Sequence, residues 1–341
     1  MQYRTLGDTG LSVSSLCLGT MMFGSWGNKD HDDSIRTIHH ALEAGINFVD
    51  TADLYGRGEA EEIVGKALAG SRRDSVVLAS KFHNPMSDNV NDRGNSRRWI
   101  MRAVEGSLKR LGTDHLDLYQ VHRPDPATGI EETLGALTDL QRAGKIRYFG
   151  TSTFPAHQLV EAQWAAERRG LGRFVTEQPP YSMLARGIEA DVLPAAEAHR
   201  IGVLTWSPLG GGWLSGTFRK GATGQVSSRT ELMPGIFDID APRNAGKLDA
   251  VEALALLAEE AGLSLIHLAL GFVLAHRAVT APIIGPMDIE QLDSQLGAAD
   301  LVLDPDVLDR IDKIVAPGRN MTVGDAGYFP PALTDASLRR R

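Results

Sequence analysis

The amino-acid sequence predicts an α/β fold, a (β/α)8 TIM barrel with an N-terminal β-hairpin and long loops on its C-terminal face. Two observations predict it: eight short apolar segments alternate with amphipathic segments across the 341 residues, and each of the eight is mostly apolar. Uninterrupted apolar strands are typical of a parallel sheet that helices cover on both faces. No composition break or linker divides residues 1–341, which favours one closed barrel domain over the alternative, an open doubly wound sheet.

The barrel strands are expected where short apolar runs occur, at residues 16–19, 48–51, 76–82, 116–122, 146–151, 174–178, 202–208 and 279–285. Helices are expected where apolar residues recur at helical spacing, at residues 32–44, 60–69, 96–111, 130–143, 156–169, 188–198, 247–261, 264–276, 289–298 and 304–315. The last of these helices begins with an acidic first turn that contains Pro305, which is typical of a helix N-terminus.

Four segments lie outside this alternation. Residues 3–13 predict a β-hairpin that turns at Asp8-Thr9-Gly10 and plugs the bottom of the barrel. Loops 83–95 and 210–246 are rich in Gly, Asn, Asp and Arg, and loops of this kind after barrel strands build the active-site face. Residues 320–341 are expected to form a partly ordered tail.

Charge and cysteine content exclude several classes of protein. The chain has 35 Lys and Arg against 43 Asp and Glu, a net charge of −8, whereas proteins that bind nucleic-acid backbones carry a basic surface. No apolar run approaches the ~18 residues of a membrane helix, and residues 1–5 do not begin a signal peptide. The single cysteine, Cys17, allows no intramolecular disulfide and is expected to be a buried strand residue rather than a redox thiol. We therefore expect a soluble, cytoplasmic protein with no nucleic-acid or membrane partner.

Four polar side chains follow neighbouring strands and form the candidate catalytic group. Asp50 and Lys81 end the second and third predicted strands, His122 ends the fourth, and Tyr55 lies in the loop after Asp50. Catalytic residues of such barrels lie at the C-terminal ends of strands, so the four are expected to converge. A phenol is a poor acid near neutrality, with a pKa of about 10, so it needs a nearby cation, and a buried cation needs a carboxylate. Each residue alone has an ordinary structural role, as a helix cap, loop aromatic, surface lysine or satisfied histidine; together they favour catalysis.

Two segments resemble the signatures of the aldo-keto reductase superfamily. The first is GINFVDTADLYG at residues 45–56, and the second is LKRLGTDHLDLYQVHRP at residues 108–124. The resemblance extends over about residues 3–315. Within the superfamily, the sequence is similar to the branch that includes potassium-channel β subunits. Asn47 stands where the first signature commonly has an arginine. The resemblance implies that Tyr55 gives a proton to a carbonyl oxygen, that Lys81, held by Asp50, makes the phenol a better acid, and that His122 orients the carbonyl.

The resemblance also implies a nicotinamide cofactor, NADP(H), with NAD(H) not excluded, because no side chain supplies a hydride. Gly210–Ser215 is only a weak match to a G-x-G-x-x-G motif. Ser152 and Gln178 would hold the carboxamide, and Trp206 would stack on the nicotinamide ring. The whole set of cofactor residues implied in this way is Thr20, Met21, Asp50, Ser152, Gln178, Trp206, Ser207, Leu209, Gly212, Leu214, Gly285, Met287, Gln291 and Gln295.

The adenosine end departs from the family pattern. Met287 stands where NADP-preferring members often have a basic residue, and Gln295 stands where many have asparagine. Thr153 likewise replaces a common asparagine after Ser152. Positive charge for a 2′-phosphate would then have to come from the long loop, where the available residues are Arg219, Lys220 and Arg229.

The proposed substrate is a small carbonyl compound or alcohol. An apolar mouth is expected, which favours aldehydes, ketones or quinone-like compounds over phosphorylated sugars, and its residues would be Met22, Phe23, Trp26, Phe82 and Trp213. Two other functions compete with carbonyl reduction: a cofactor-binding regulatory subunit with little turnover, and a Schiff-base aldolase that uses Lys81. A carboxylate beside Lys81 argues against the aldolase, because it keeps the amine charged. No metal site is expected, and the oligomeric state is not predicted.

Overall fold

Eight parallel strands close into a barrel in the computed structural model, which describes residues 1–221, 237–238 and 241–340. An antiparallel pair, β1 (Tyr3–Thr5) and β2 (Ser12–Ser14), precedes them. The barrel strands are β3 (Cys17–Gly19), β4 (Phe48–Asp50), β5 (Val77–Phe82), β6 (Leu116–Val121), β7 (Ile146–Ser152), β8 (Thr176–Gln178), β9 (Gly202–Thr205) and β10 (Val279–Ile284). Strand β10 pairs with both β9 and β3, which closes the barrel and confirms the predicted (β/α)8 fold.

Helices alternate with the strands as predicted, and their ends follow local capping rules. Ser96 caps the helix Arg97–Leu111 by accepting a hydrogen bond from Trp99 N, and Gly112 ends that helix in a left-handed conformation, φ 63°. The described helices are His31–Glu43, Glu59–Ala67, Arg97–Leu111, Ile130–Arg142, Ala156–Arg169, Val192–Ala198, Ala245–Glu260, Leu265–Ala275, Ile289–Leu296, Pro305–Ile314 and Pro331–Thr334.

The N-terminal hairpin closes the bottom of the barrel, as expected. Leu6 and Val13 are fully buried and share a core cluster with Cys17 and Phe48 of the barrel strands. Gly7 has φ 56°, and a Cβ there would lie 2.6 Å from the carbonyl oxygen of Val175, just before β8. This close approach is possible only because glycine has no side chain.

Alternation along the strands separates an apolar lower barrel from a polar upper barrel. Residues of the lower interior are apolar and lie against the hairpin. Two residues further up the same strands, the inward positions become Lys81 in β5 and Gln120 in β6, and both are fully buried. The alternate positions of these strands face outward and pack on the helices, as Phe82 and Val121 do. Because inward positions recur every second residue, the strand period alone brings these polar groups together at the top.

The seventh barrel strand ends earlier than predicted. Strand β9 stops at Thr205 rather than residue 208, because Ser207 adopts a left-handed conformation with φ 54°. Trp206 still makes an isolated parallel bridge to Pro180, so it lies at the barrel rim beside the end of β8.

The C-terminal segment packs back onto the barrel mouth. Met321 N donates to the carbonyl oxygen of Leu184, and Lys247 pairs with Asp325 at 2.7 Å with both side chains largely buried. A Cβ added to Gly327 would lie 2.7 Å from Trp206 Cζ2, so this glycine sits directly against the tryptophan edge.

Within the described part of the chain, no single helix is both long and apolar enough to cross a membrane. The two helical stretches Pro242–Glu260 and Leu265–Ala275 have the length and apolar composition of a membrane span only when they are taken together, and the chain bends by 94° between them.

Candidate active site

Asp50, Tyr55, Lys81 and His122 converge at the C-terminal end of the barrel. Asp50 ends β4, Lys81 lies near the end of β5, and His122 directly follows β6. Tyr55 opens a short 3-10 turn after β4, and its ring contacts the His122 ring edge-on at a centroid distance of 5.9 Å. Three consecutive parallel strands therefore bring the four residues together.

Lys81 is fully buried and each of its three protons has an acceptor. Nζ donates to Asp50 Oδ1, to the carbonyl oxygen of Thr51 at 2.9 Å, and to Tyr55 Oη at 3.2 Å. Burial by itself lowers the pKa of Lys81, but the charges of Asp50 and Tyr55 and their hydrogen bonds outweigh it and raise the pKa. The charged ammonium is thus favoured beside the phenol, which disfavours a Schiff-base role that needs a neutral amine.

Asp50 is held by donors on its other oxygen. Gln178 Nε2 donates to Oδ2 at 2.9 Å and Gln120 Nε2 donates to it at 3.1 Å. All three side chains are at most 2% exposed, so the carboxylate is satisfied entirely by protein groups. Asp50 therefore acts on Tyr55 through Lys81 and has no free oxygen directed at a substrate.

His122 is a neutral donor rather than a charged acid. Burial lowers its pKa well below the usual range, and the positive charges of Lys81 and Arg123 lower it further. Asn84 Nδ2 donates to His122 Nδ1 at 3.1 Å, so the neutral ring carries its proton on Nε2. His83, the residue before Asn84, has φ 140°, a value that residues other than glycine rarely adopt. This bend in the backbone directs the Asn84 side chain at His122.

Sequence reasoning missed three residues of this site. Gln120 lies two positions before His122, and strand alternation directs it inward at the top of the barrel. Asn84 reaches His122 from the loop after β5, and Arg123 directly follows His122. The polar Gln120 inside a buried strand was a usable signal. Asn84 had none, because its contact depends on the path of a loop.

The residues expected to hold the nicotinamide lie together on the opposite rim. Ser152 Oγ donates to the carbonyl oxygen of Gln178 at 2.8 Å, and Trp206 lies at the end of β9. Thr153 has φ 61°, a conformation that β-branched residues rarely adopt and that asparagine tolerates better. The substitution of threonine at this position therefore keeps the backbone geometry at a cost in strain.

The loop after β9 is a glycine-rich turn that contains the residues expected to contact the pyrophosphate. Gly211 has φ 73° and Gly212 has φ 119°, so their backbone can approach a ligand closely. The amides of Gly212 and Leu214 both donate to the carbonyl oxygen of Leu209, at 3.0 Å each. These two expected pyrophosphate contacts are thus already engaged within the loop, and Leu214 is fully buried. Ser207 begins the turn.

The residues expected at the adenosine end lie after the last strand and on the helix that follows it. Met287 N donates to Gln291 Oε1 at 3.2 Å, and Gln295 Nε2 donates to the carbonyl oxygen of Gln291 at 2.8 Å. Gln295 Oε1 is buried without a hydrogen-bond partner among the described residues. Such an orphaned acceptor suits an adenine amino group, so the residues present fit a dinucleotide. Gly285 precedes them on the same rim.

Thr20 and Met21 follow β3 on the neighbouring rim. Thr20 N and Thr20 Oγ1 both bond to the carbonyl oxygen of Asp50, at 3.0 and 3.2 Å, which ties this loop to the catalytic strand. Met21 is half-buried beside it.

Two of the cations expected to serve a 2′-phosphate are engaged elsewhere. Arg219 pairs with Glu252 at 3.0 Å and with Glu259 at 2.9 Å, and Lys220 pairs with Asp249 at 2.7 Å. All three acids lie on the helix Ala245–Glu260, so these ion pairs fix the loop to the outer helix layer. Arg229 lies outside the described residues.

The prediction of an apolar mouth is wrong for most of the residues that were expected to line it. Phe23 and Phe82 are fully buried in the core between the barrel and its helices. Trp213 is fully buried and stacks on Phe218 at 4.6 Å, and Met22 is 1% exposed. Strand alternation points Phe82 outward, opposite to Lys81, which explains the error. Trp26 alone lies at the site, 6.1 Å from the Tyr55 ring between centroids.

The geometry suits proton donation to an oxygen held over the barrel. Tyr55 is partly exposed, has a permanently charged lysine on its oxygen, and faces a neutral histidine. Cys17 is fully buried in the lower barrel core, where burial raises its pKa, so the thiol takes no part in this chemistry.

Comparison with known proteins shows the family of the chain. A family model described as the aldo/keto reductase family matches residues 15–316. The chain is 42% identical over 325 residues to the uncharacterized oxidoreductase YrpG of Bacillus subtilis, covering 92% of this chain and 96% of that protein. It is 38% identical to the aldo-keto reductase YhdN of Bacillus subtilis, covering 86% and 87% of the two chains. It is 36% identical to a probable voltage-gated potassium channel subunit beta of Arabidopsis thaliana, covering 92% and 97%. The chain belongs to the aldo/keto reductase family.

Proposed function

We propose that this oxidoreductase reduces aldehydes or ketones to alcohols with NADP(H), and that Tyr55 is the proton donor. The observation that carries the proposal is the contact of Lys81 Nζ with Tyr55 Oη at 3.2 Å. A cation on the phenol oxygen favours loss of its proton, which is what a general acid needs. Small carbonyl compounds and alcohols are the proposed partners.

Each residue of the candidate site would have a separate task. Tyr55 would give its proton to the carbonyl oxygen, and His122 would donate a second hydrogen bond to the same oxygen from Nε2. Lys81 and Asp50 would stabilise the tyrosinate that forms. The nicotinamide, when bound, supplies the hydride. Ser152, Gln178 and Trp206 would hold its ring, and Gln295 would accept from the adenine.

NADP(H) is proposed over NAD(H) because the family generally accepts the phosphorylated cofactor. Within the described residues, Arg219 and Lys220 bind acids of the helix Ala245–Glu260. A 2′-phosphate would need these pairs to exchange, or a cation from Arg229. Titration of the protein with NADPH and NADH separately decides this point.

The function is tested by mixing the protein with NADPH or NADH and a panel of aldehydes, ketones and alcohols, while following nicotinamide absorbance. Tyr55→Phe is expected to abolish carbonyl reduction while the cofactor still quenches tryptophan fluorescence. Tyr3→Phe is the matched control, because Tyr3 bonds Gly45 at the far end of the barrel. Near-full turnover of Tyr55→Phe would remove Tyr55 as the acid.

A regulatory subunit with little turnover is the second candidate. The similarity to probable potassium channel β subunits favours it. The tetrad of Asp50, Tyr55, Lys81 and His122 by itself does not decide between the two functions. Cofactor binding without oxidation of NADPH by any compound of the panel would favour the regulatory function.

A further inference from the structure

Arg123 is a positive charge beside the tetrad with no carboxylate partner in the described part of the chain. It follows His122 directly, and its charge acts on both His122 and Tyr55. The acid whose charge acts on it is Glu177, and the oxygens of Glu177 accept from Thr151 Oγ1 and Phe154 N instead. The ammonium of Lys81, by contrast, is compensated by Asp50. A half-buried guanidinium without a counter-ion is costly, and an anion bound beside it would offset that cost.

One side of the guanidinium is anchored. Nη1 donates to the carbonyl oxygen of His122 at 2.7 Å and to Thr153 Oγ1 at 2.9 Å, and lies 3.5 Å from Ser152 Oγ. Arg123 Cζ also lies 5.9 Å from the centroid of the Trp206 ring, within the range of a cation–π contact. These contacts join the ends of β6, β7 and β9 and hold the arginine in one orientation.

The other side of the guanidinium is free. Nε and Nη2 have no acceptor among the described residues, and neither is among the buried atoms that lack a partner, so both reach open space. These two nitrogens form one edge of the planar fork, with two parallel N–H groups. That edge matches the two oxygens of a carboxylate.

We propose that Arg123 is an anion subsite that selects carbonyl substrates carrying a carboxylate near the reacting carbonyl. The inference rests on the proposed reductase function and narrows its substrate class. A single guanidinium edge fits a monoanion with two oxygens. A phosphate dianion would need a second uncompensated cation, and Lys81 is already neutralised by Asp50.

The test compares the three isomers of carboxybenzaldehyde with their methyl esters, so that charge changes at nearly constant shape and the carboxylate distance varies. At saturating NADPH, kcat/KM of at least one acid is expected to exceed that of its ester by about 10- to 100-fold, the usual contribution of a charge-assisted pair. Arg123→Gln, which keeps a donor for the His122 carbonyl, should reduce that ratio to about one. Arg123→Lys should retain part of it. Arg277→Gln removes an exposed charge at the other end of the barrel and should leave it unchanged.

A binding measurement separates this inference from the reductase function. The unreactive toluates and toluamides are titrated calorimetrically into the protein with and without NADP⁺. Tighter binding of a toluate than of its amide, lost in Arg123→Gln, supports the subsite even if no aldehyde is reduced. No acid preference of the wild-type protein in either assay overturns the proposal. An equal loss for acid and ester in Arg123→Gln, with weaker NADP⁺ binding, would assign the arginine to the cofactor and also overturns it.

Discussion

Lys81 Nζ lies 3.2 Å from Tyr55 Oη while the same nitrogen is bound to Asp50. The distance puts a positive charge within hydrogen-bond reach of the phenol oxygen, and burial of Lys81 keeps water away from the ammonium. Residues behind the pair decide whether this geometry is kept.

Gln120→Leu should reduce catalysis without touching the substrate. The substitution removes one of the two donors to Asp50 Oδ2, and a buried carboxylate left short of a donor costs about 1–3 kcal/mol. We expect kcat to fall about tenfold with little change in the carbonyl KM, because Gln120 acts through Asp50 and Lys81. Steady-state kinetics and urea unfolding measure the two effects.

Gln163→Leu is the matched control for Gln120. Gln163 is also a buried amide, and it donates to the carbonyl oxygen of Phe174 away from the site. It should lose stability of similar size while keeping kcat. If both variants lost kcat equally, the effect would come from general destabilisation rather than from Asp50.

Asn84→Asp should change the protonation of His122. A carboxylate opposite Nδ1 favours a proton on that nitrogen and raises the pKa of His122, which burial and nearby cations hold well below its usual range. We expect kcat/KM to fall by up to about 100-fold near neutrality. Ring ¹⁵N shifts should show Nε2–H in the wild type and a doubly protonated ring in the variant. The same ring shifts in both proteins would contradict the assigned tautomer.

Glu177→Gln should stabilise the fold at high pH. Burial raises the pKa of Glu177 to about 7, against partial opposition from hydrogen bonds with Thr151 and Phe154. The folded protein therefore binds this proton more tightly than the unfolded chain does. That contribution is complete below the ordinary glutamate pKa and is lost as the pH rises through 7. The stability of Glu177→Gln relative to the wild type should thus increase by about 3 kcal/mol between pH 4 and pH 8.

Denaturant unfolding at several pH values measures this difference. The exposed residue Glu62 provides the control, since Glu62→Gln should track the wild type throughout. A constant difference between Glu177→Gln and the wild type from pH 4 to pH 8 would show that the carboxyl titrates normally.

Gly327→Ala, a substitution in the C-terminal segment, should weaken cofactor binding. The new Cβ would lie 2.7 Å from Trp206 Cζ2 at a residue with φ 74°, so the segment or the tryptophan must move. We expect about tenfold weaker NADP⁺ binding in a tryptophan-fluorescence titration, with a smaller loss of unfolding free energy of about 1 kcal/mol. Gly324→Ala is the control, because its nearest neighbour is Thr322 Oγ1 at 3.8 Å. Equal affinities of the two variants would exclude a role of this contact.

The sequence was sufficient for the barrel and for the placement of Asp50, Lys81 and His122 at its rim, because both depend on strand periodicity. Apolar runs at regular spacing determine parallel strands, and a polar residue at the end of each run must lie at the top of the barrel. Asp50, Lys81 and His122 were found in this way, and the hairpin that closes the bottom was visible in its turn residues.

The same periodicity was applied wrongly to the aromatic residues. Phe82 follows Lys81 and was expected at the mouth, whereas adjacent strand residues face opposite sides of the sheet. Arg219 and Lys220 were expected to be available for a phosphate, but they bind acids on the helix Ala245–Glu260, which lies later in the chain.

The sequence alone determined which residues stand at the strand ends, since that follows from a local pattern that repeats along the chain. Only the tertiary structure decided how those residues are supported. Gln120 and Gln178 on Asp50, Asn84 on His122, and the unpaired edge of Arg123 all depend on contacts between segments distant in the chain. Such contacts are set by loop paths and by barrel closure, and hydrogen bonds of this kind leave no periodic signal in the sequence.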